Sequence, residues 1–196
     1  MKIIGLTGSI AMGKSNAARM LRRMGYPIFD ADDVVRLFTT QKGVALPSIK
    51  KAFPDIFHEG QLVRSLLAEL VFKNPSAKKR LEMILHPLVA QAREKFFQQH
   101  RVKRSPIVFL DIPLLFENKL EKICDAVIVM TSPSFLQRIR ALQRPGMTRE
   151  LLENILSTQM PDAEKKKRAD RIVQSGLGKA YTWRQLKKIA QELQNA

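Results

Sequence analysis

The sequence predicts an α/β fold: a parallel five-stranded sheet with helices on both faces. Three observations carry this expectation. Gly8-Ser9-Ile10-Ala11-Met12-Gly13-Lys14-Ser15 fits G-x-x-x-x-G-K-[ST] between a short apolar run and a helical pattern. Brief apolar segments then alternate with amphipathic stretches along the chain. Acids stand at the carboxyl ends of two of these segments, at Asp30–Asp33 and at Asp111, the edge where open sheets bind ligands.

The loop comes first because its chemistry is the most specific. Gly8 and Gly13 permit a tight turn that aims consecutive N–H groups into one concavity. Lys14 offers a point charge to β- and γ-phosphates, and the Ser15 hydroxyl is a magnesium ligand in loops of this pattern. The following helix adds the positive end of its dipole. Lys2–Thr7 reads as the strand before the loop. Ser15–Met24 reads as the helix after it, with Ala18, Met20, Leu21 and Met24 near a 3.6-residue period. Gly25 and Pro27 stop that helix.

The remaining elements follow in order. Ile28-Phe29 is a second strand, expected beside the first, so that Asp30, Asp32 and Asp33 face the loop. A helix runs from about 33 to 39. From Pro47 to about His100 the pattern is helical and strandless. Gln61–Phe72 forms one stripe, and breaks are expected at Asn74-Pro75 and His86-Pro87. Pro106–Asp111 and Asp125–Thr131 are buried strands. A helix carrying Arg138, Arg140 and Arg144 starts at Ser132-Pro133, Gly146 interrupts it, and Thr148 caps a helix from Arg149 to Met160. Arg171–Val173 is a fifth strand. Tyr181–Leu193 closes the chain, with Leu186, Ile189, Ala190 and Leu193 inward.

Composition narrows the class. A chain of 196 residues with 45% apolar content suits one α/β domain with a small insert. A single cysteine, Cys124, excludes an intrachain disulfide and suggests a reducing cytoplasm. The first residues run straight into a strand, with no apolar leader expected, and no run approaches membrane-spanning length. The net charge of +16 fits nucleic acid or small polyanions such as nucleotides. The basic runs, such as Lys78-Lys79-Arg80 and Lys165–Arg168, lack interleaved aromatics and form no recognisable nucleic-acid module. Small polyanions are the expected partners, and these runs read as solvated faces. Oligomeric state is not expressed in the sequence.

Phosphoryl transfer needs charge neutralisation, alignment and a group to orient the acceptor. A carboxylate among Asp30, Asp32 and Asp33 could accept the acceptor's proton or hold magnesium through water. Arg138, Arg140, Arg144 and Arg149 surround the Gly146 break and could close over a transferring phosphate. Asp111 could be a second magnesium-binding element or a turn cap. Asn118-Lys119-Leu120-Glu121 has Glu where a guanine-reading loop has Asp, and the chain has no D-x-x-G, so a GTPase is not expected.

Between Lys2 and about Gly176 the chain resembles the dephospho-coenzyme A kinase family. The pieces are Gly5-Leu6-Thr7-Gly8 entering the loop, Asp30-Ala31-Asp32, His86-Pro87, Pro113-Leu114-Leu115-Phe116-Glu117 with Asn118, Gln137-Arg138, Arg144 and Gln159. The resemblance implies transfer of the ATP γ-phosphate to the 3′-hydroxyl of dephospho-CoA. It implies a nucleotide-binding core over about 1–32 and 102–196, a helical CoA-binding insert over about 33–101 and a lid over about 140–160. It implies Thr7, Lys14, Asp32 and Arg138 as catalytic residues. Gly8, Ala11, Met12, Gly13, Lys14, Ser15, Asn16 and Arg144 fall to ATP, with Asp32, His86 and Arg138 on the acceptor side. Magnesium is expected at Ser15, with Asp111 the second candidate. Family loops usually have glycine where Ser9 and Ala11 stand and a hydroxyl residue at Asn16. They usually have an Asn-containing turn near adenine where Gln174-Ser175-Gly176 lies. The rival readings are a nucleoside or nucleotide kinase on the same core and an ATP-dependent nucleic-acid-binding protein.

Overall fold

The computed structural model describes residues 1–195. The chain forms two compact units, one made of Met1–Phe29 with the chain from His100 on, the other of Asp30–Gln99. The elements in order are β1 (Lys2–Thr7), α1 (Lys14–Arg23), β2 (Ile28–Asp30), α2 (Ala31–Phe38), α3 (Leu46–Ala52), β3 (Phe57–His58), β4 (Gln61–Leu62), α4 (Arg64–Lys73) and α5 (Pro75–Val102). There follow β5 (Ile107–Asp111), β6 (Ala126–Thr131), α6 (Ser134–Leu142), α7 (Arg149–Thr158), α8 (Asp162–Arg168), β7 (Arg171–Gln174) and α9 (Lys179–Asn195). Among the described residues, no helix is long and apolar enough to cross a membrane.

In the first unit the five-stranded sheet has the order β2-β5-β1-β6-β7. β1 pairs in parallel with β5 and β6, and β6 with β7. The second strand therefore does not lie beside the first, because β5 stands between them. Burial explains the placement. Every residue of β5 is buried, which demands neighbours on both sides, whereas β2 is three residues long and partly exposed, as suits an edge. Register then aligns Leu6 with Asp111, so the sheet sets the β5 acid level with the end of β1.

Strand alternation sorts the core. Ile4, Leu6, Ile107, Phe109, Ala126, Ile128 and Met130 point to one face, where Ala17, Ala18 and Leu21 of α1 and Leu186, Ile189, Ala190 and Leu193 of α9 cover them. Burying each large side chain contributes about 1.5–3 kcal/mol. On the other face, a Cβ added at Gly5 would lie 2.7 Å from Leu115 and 3.1 Å from the Cys124 sulfur, so the chain after β5 packs directly on the strand.

The second unit has its own core, with Ile49, Phe53, Ile56, Ala77 and Leu85 at its centre. Two expectations fail here. The segment is not strandless: β3 and β4 form an antiparallel hairpin whose central residues, Glu59 and Gly60, both have positive φ, the two-residue turn that matches strand twist. Gln61-Leu62 thus belongs to a strand, and the helix starts at Arg64. Nor does Pro87 end a helix, since α5 runs through it. Proline removes one N–H, and the carbonyl it would have met belongs to Met83, an exposed position on this 28-residue helix, so the helix loses one bond there and continues.

A third correction concerns the basic run Lys165–Arg168. It forms α8, and Lys165 is not on a solvated face. Its side chain is fully buried, with Nζ 2.9 Å from Oε1 of Glu117. Glu117 also accepts from the Met160 N–H at 2.8 Å, and Asp162 accepts from Thr131 of β6 at 2.8 Å. Burial alone would push the Glu117 carboxyl up, but the Lys165 ammonium and the Met160 N–H outweigh it and hold the group below the usual carboxylate range. The folded value lies below the unfolded one. The stabilisation is therefore complete above the ordinary carboxylate pKa and is lost as pH falls through the depressed folded value. Glu117→Gln should cost about 3 kcal/mol at neutral pH by stranding the ammonium. Urea unfolding between neutral and acid pH checks this, and the variant should lose part of the wild-type acid dependence.

Candidate nucleotide-binding site

The loop between β1 and α1 is shaped by close backbone contacts. A Cβ on Gly8 would lie 2.6 Å from the Met130 carbonyl oxygen, so only glycine lets the chain leave β1 this near to β6. Gly13 has φ of +91°, and a Cβ added there would lie 2.9 Å from the Ser175 side chain. Ala11, where glycine is usual in such loops, also takes a left-handed backbone, with φ of +61°.

The loop's polar groups divide into two sets. The Met12 N–H donates to the Ser9 carbonyl at 3.2 Å, and the Ile10 N–H to Oε1 of Gln159 at 3.0 Å. The Ile10 carbonyl accepts from Nε2 of Gln137 at 3.0 Å, and the Met12 carbonyl from the Ser175 hydroxyl at 2.9 Å. Arg140 secures Ser175, donating to its hydroxyl at 3.0 Å and its carbonyl at 3.2 Å. By contrast, the N–H groups of Ala11, Gly13, Lys14 and Ser15 find no acceptor among the described residues. With the N-terminus of α1 behind them, they form a ready anion cradle.

Lys14 stands in that cradle with Nζ 2.6 Å from Oδ1 of Asp111, whose side chain is 2% exposed. Register on β5 makes this contact: the acid that the sheet brings to the loop lysine is Asp111. The Ser15 hydroxyl is exposed and has no partner among the described residues. Asn16, one residue on, binds Arg19 through its side-chain oxygen. Thr7 is fully buried, and its hydroxyl donates to the Pro113 carbonyl at 2.9 Å. Among the described residues, no three His, Cys, Asp or Glu side chains gather to hold a metal.

The arginines separate. Arg138 pairs with Glu153 of α7, and both side chains are about half exposed. This contact raises the guanidinium's already high pKa and lowers that of Glu153. Arg140 serves Ser175. Arg144 is exposed at the turn between α6 and α7, where Pro145 and Gly146 (φ of +75°) make a tight reversal closed by Met147 N–H to Arg144 carbonyl. Thr148 caps α7, accepting from the Leu151 N–H at 3.1 Å.

Asp30, Asp32, Asp33 and His86 belong to the second unit. Asp30 caps α2, accepting from the Asp33 N–H at 3.1 Å, and Asp33 pairs with Arg36. Asp32 is exposed in the first turn of α2, and His86 is exposed on α5, just before Pro87.

A phosphate loop on a β2-β5-β1-β6-β7 sheet fits many kinases, and comparison with known proteins narrows it. The family model described as dephospho-CoA kinase matches residues 2–178. The chain belongs to the dephospho-CoA kinase family. A dephospho-CoA kinase from Paramagnetospirillum magneticum is 50% identical, over 85% of this chain and 78% of its own. The dephospho-CoA kinase from Campylobacter jejuni has a solved structure with TM-score 0.68 and 28% identity, covering 98% of this chain and 97% of its own. A solved structure from Thermus thermophilus reaches TM-score 0.81 at 34% identity over 98% and 97%. Members of this family are kinases, and the chain is accordingly an ATP-dependent phosphotransferase acting on dephospho-CoA.

Three site features were not legible beforehand. In the sequence Gln137 and Gln159 are only points of resemblance, and nothing local indicates that both reach Ile10. In the sequence Ser175 marks only a departure near adenine, and its support of the loop depends on the fold. The pairing of Lys14 with Asp111 depends on strand order, which no local pattern encodes. The Gly8 contact has a direct test. Gly8→Ala must displace the loop from Met130, and ATP affinity by calorimetry should fall at least about tenfold while the thermal transition stays cooperative.

Proposed function

We propose that the loop from Gly8 to Asn16 holds the ATP phosphates and that the γ-phosphate passes to the 3′-hydroxyl of dephospho-CoA, giving CoA and ADP. The observation that carries the site assignment is the cradle of four unpaired amides around Lys14, itself held 2.6 Å from Asp111. Within it, the amides of Ala11, Gly13, Lys14 and Ser15 face the β- and γ-phosphates, Met12 lines the same loop, and Lys14 neutralises charge that builds on them.

Magnesium is part of this reading. The exposed Ser15 hydroxyl and the strand-end Asp111 carboxylate suit an ion that keeps most of its ligands as water and phosphate oxygen. The bound ion would neutralise charge on the β- and γ-oxygens. Arg138 and Arg144 lie on the helices and turn after β6 and are assigned to the transferring phosphate, which requires Arg138 to leave Glu153. Thr7 is assigned to the strand end beneath the loop, where its hydroxyl braces Pro113.

The acceptor falls to the segment of about 33–101, with His86 on the substrate side, while about 1–32 and 102–196 form the nucleotide core and about 140–160 the lid. Asp32 orients the 3′-hydroxyl and takes its proton. Among the three acids the resemblance to the family, through Asp30-Ala31-Asp32, assigns this role to Asp32. The net charge of +16 is assigned to polyanionic small substrates and not to nucleic acid, in a cytoplasmic setting.

ADP release in a coupled assay, comparing dephospho-CoA with adenosine, AMP and cytidine, tests the substrate. Turnover should be confined to dephospho-CoA, and preference for a nucleoside would overturn the reading. Asp32→Asn tests the base. Because the transition state is loose, kcat should fall roughly a hundred- to ten-thousandfold with ATP affinity little changed. Retention of kcat in Asp32→Asn alongside its loss in Asp30→Asn or Asp33→Asn would move the role to another carboxylate.

A further inference from the structure

We propose that Gln137 and Gln159 are positioning residues that impose on Ala11 the left-handed backbone the phosphate loop requires. Alanine resists positive φ because its Cβ crowds the following carbonyl, yet Ala11 sits at φ of +61° in the middle of the loop. Such a conformation persists only where its surroundings over-determine it.

Both peptide planes that meet at the Ala11 Cα are tied. The plane before it carries the Ile10 carbonyl, which Gln137 holds at 3.0 Å. The plane after it carries the Met12 N–H, which the Ser9 carbonyl holds at 3.2 Å. One plane further back, the Ile10 N–H is held by Gln159 at 3.0 Å. With both flanking planes tied, φ and ψ of Ala11 are confined near the observed values.

The supports are built for this task. Gln137 lies within α6 and is only 6% exposed, so its amide reaches the loop from packed surroundings. Gln159 sits just past α7, where the backbone has turned extended. One amide donates and the other accepts, matching the two faces that Ile10 presents. A glycine at position 11 would take this backbone unaided but would leave the loop more states to sample. Alanine with a two-sided clamp gives a loop set before nucleotide arrives. The inference deepens the assignment of the loop to ATP and rests on it.

The experiment is a double-mutant cycle on the full chain between Gln137→Met and Ala11→Gly, with Gln159→Met as a second probe on a less buried side chain. ATP affinity of the wild type by calorimetry comes first, and its absence would remove the ATP-site assignment itself. With wild-type binding in hand, Gln137→Met should lower kcat/KM for ATP roughly ten- to a hundredfold, with KM for the acceptor unchanged. Adding Ala11→Gly should restore most of that loss, because glycine needs no clamp to hold positive φ. Gln159→Met should show the same loss and rescue at smaller scale, and it decides the matter if Gln137→Met does not fold. Equal losses in the alanine and glycine backgrounds, or no loss in either glutamine variant, would overturn the proposal.

Discussion

A peptide unit carries a donor on one side and an acceptor on the other, so a loop can turn its N–H groups toward an anion only if something else takes its carbonyls. In this protein the carbonyls of Ser9, Ile10 and Met12 are taken by the Met12 N–H, Gln137 and the Ser175 hydroxyl. Much of the first unit converges on that arrangement. β6 sets the distance at Gly8, α6 supplies Gln137, the end of α7 supplies Gln159, and the turn after β7 supplies Ser175 with Arg140 behind it.

Charge is arranged by the same scaffold. The position of β5 between β2 and β1 decides which acid meets Lys14, and the pairing keeps a nearly buried ammonium fixed at the mouth of α1. A second lysine, Lys165, is buried against Glu117. The two lysines show opposite uses of one chemistry. Lys14 faces a cradle of unpaired amides, and Lys165 locks α8 to the segment after β5.

Much of this was legible in the sequence. The loop pattern, the apolar strands, the Thr148 cap and the inward stripe of α9 are local signals, and the structure follows them. What was not legible depends on partners distant in the chain. Strand order turns on β5 being buried on both faces, which composition suggests only once β2 is known to be short. Pro87 breaks no helix, because the loss of one bond near an exposed position is outweighed by the rest of a 28-residue helix. Lys165 reads as one charge in a run of four until Glu117, forty-eight positions earlier, is seen beside it. Of the two positions where the family usually has glycine, Ala11 takes a positive φ and Ser9 does not, and the side chains that hold the neighbouring Ile10 are glutamines more than a hundred residues away.

Amide hydrogen exchange of the loop, followed by NMR with and without a non-hydrolysable ATP analogue, tests the central claim most directly. Without nucleotide, the Ile10 and Met12 amides should already be protected, and those of Ala11, Gly13, Lys14 and Ser15 should exchange freely. With nucleotide, the second set should become protected while the first changes little. Uniform fast exchange of the whole loop before nucleotide binds, or no new protection at Ala11, Gly13, Lys14 and Ser15 afterwards, would contradict a loop whose carbonyls are held and whose amides stand ready.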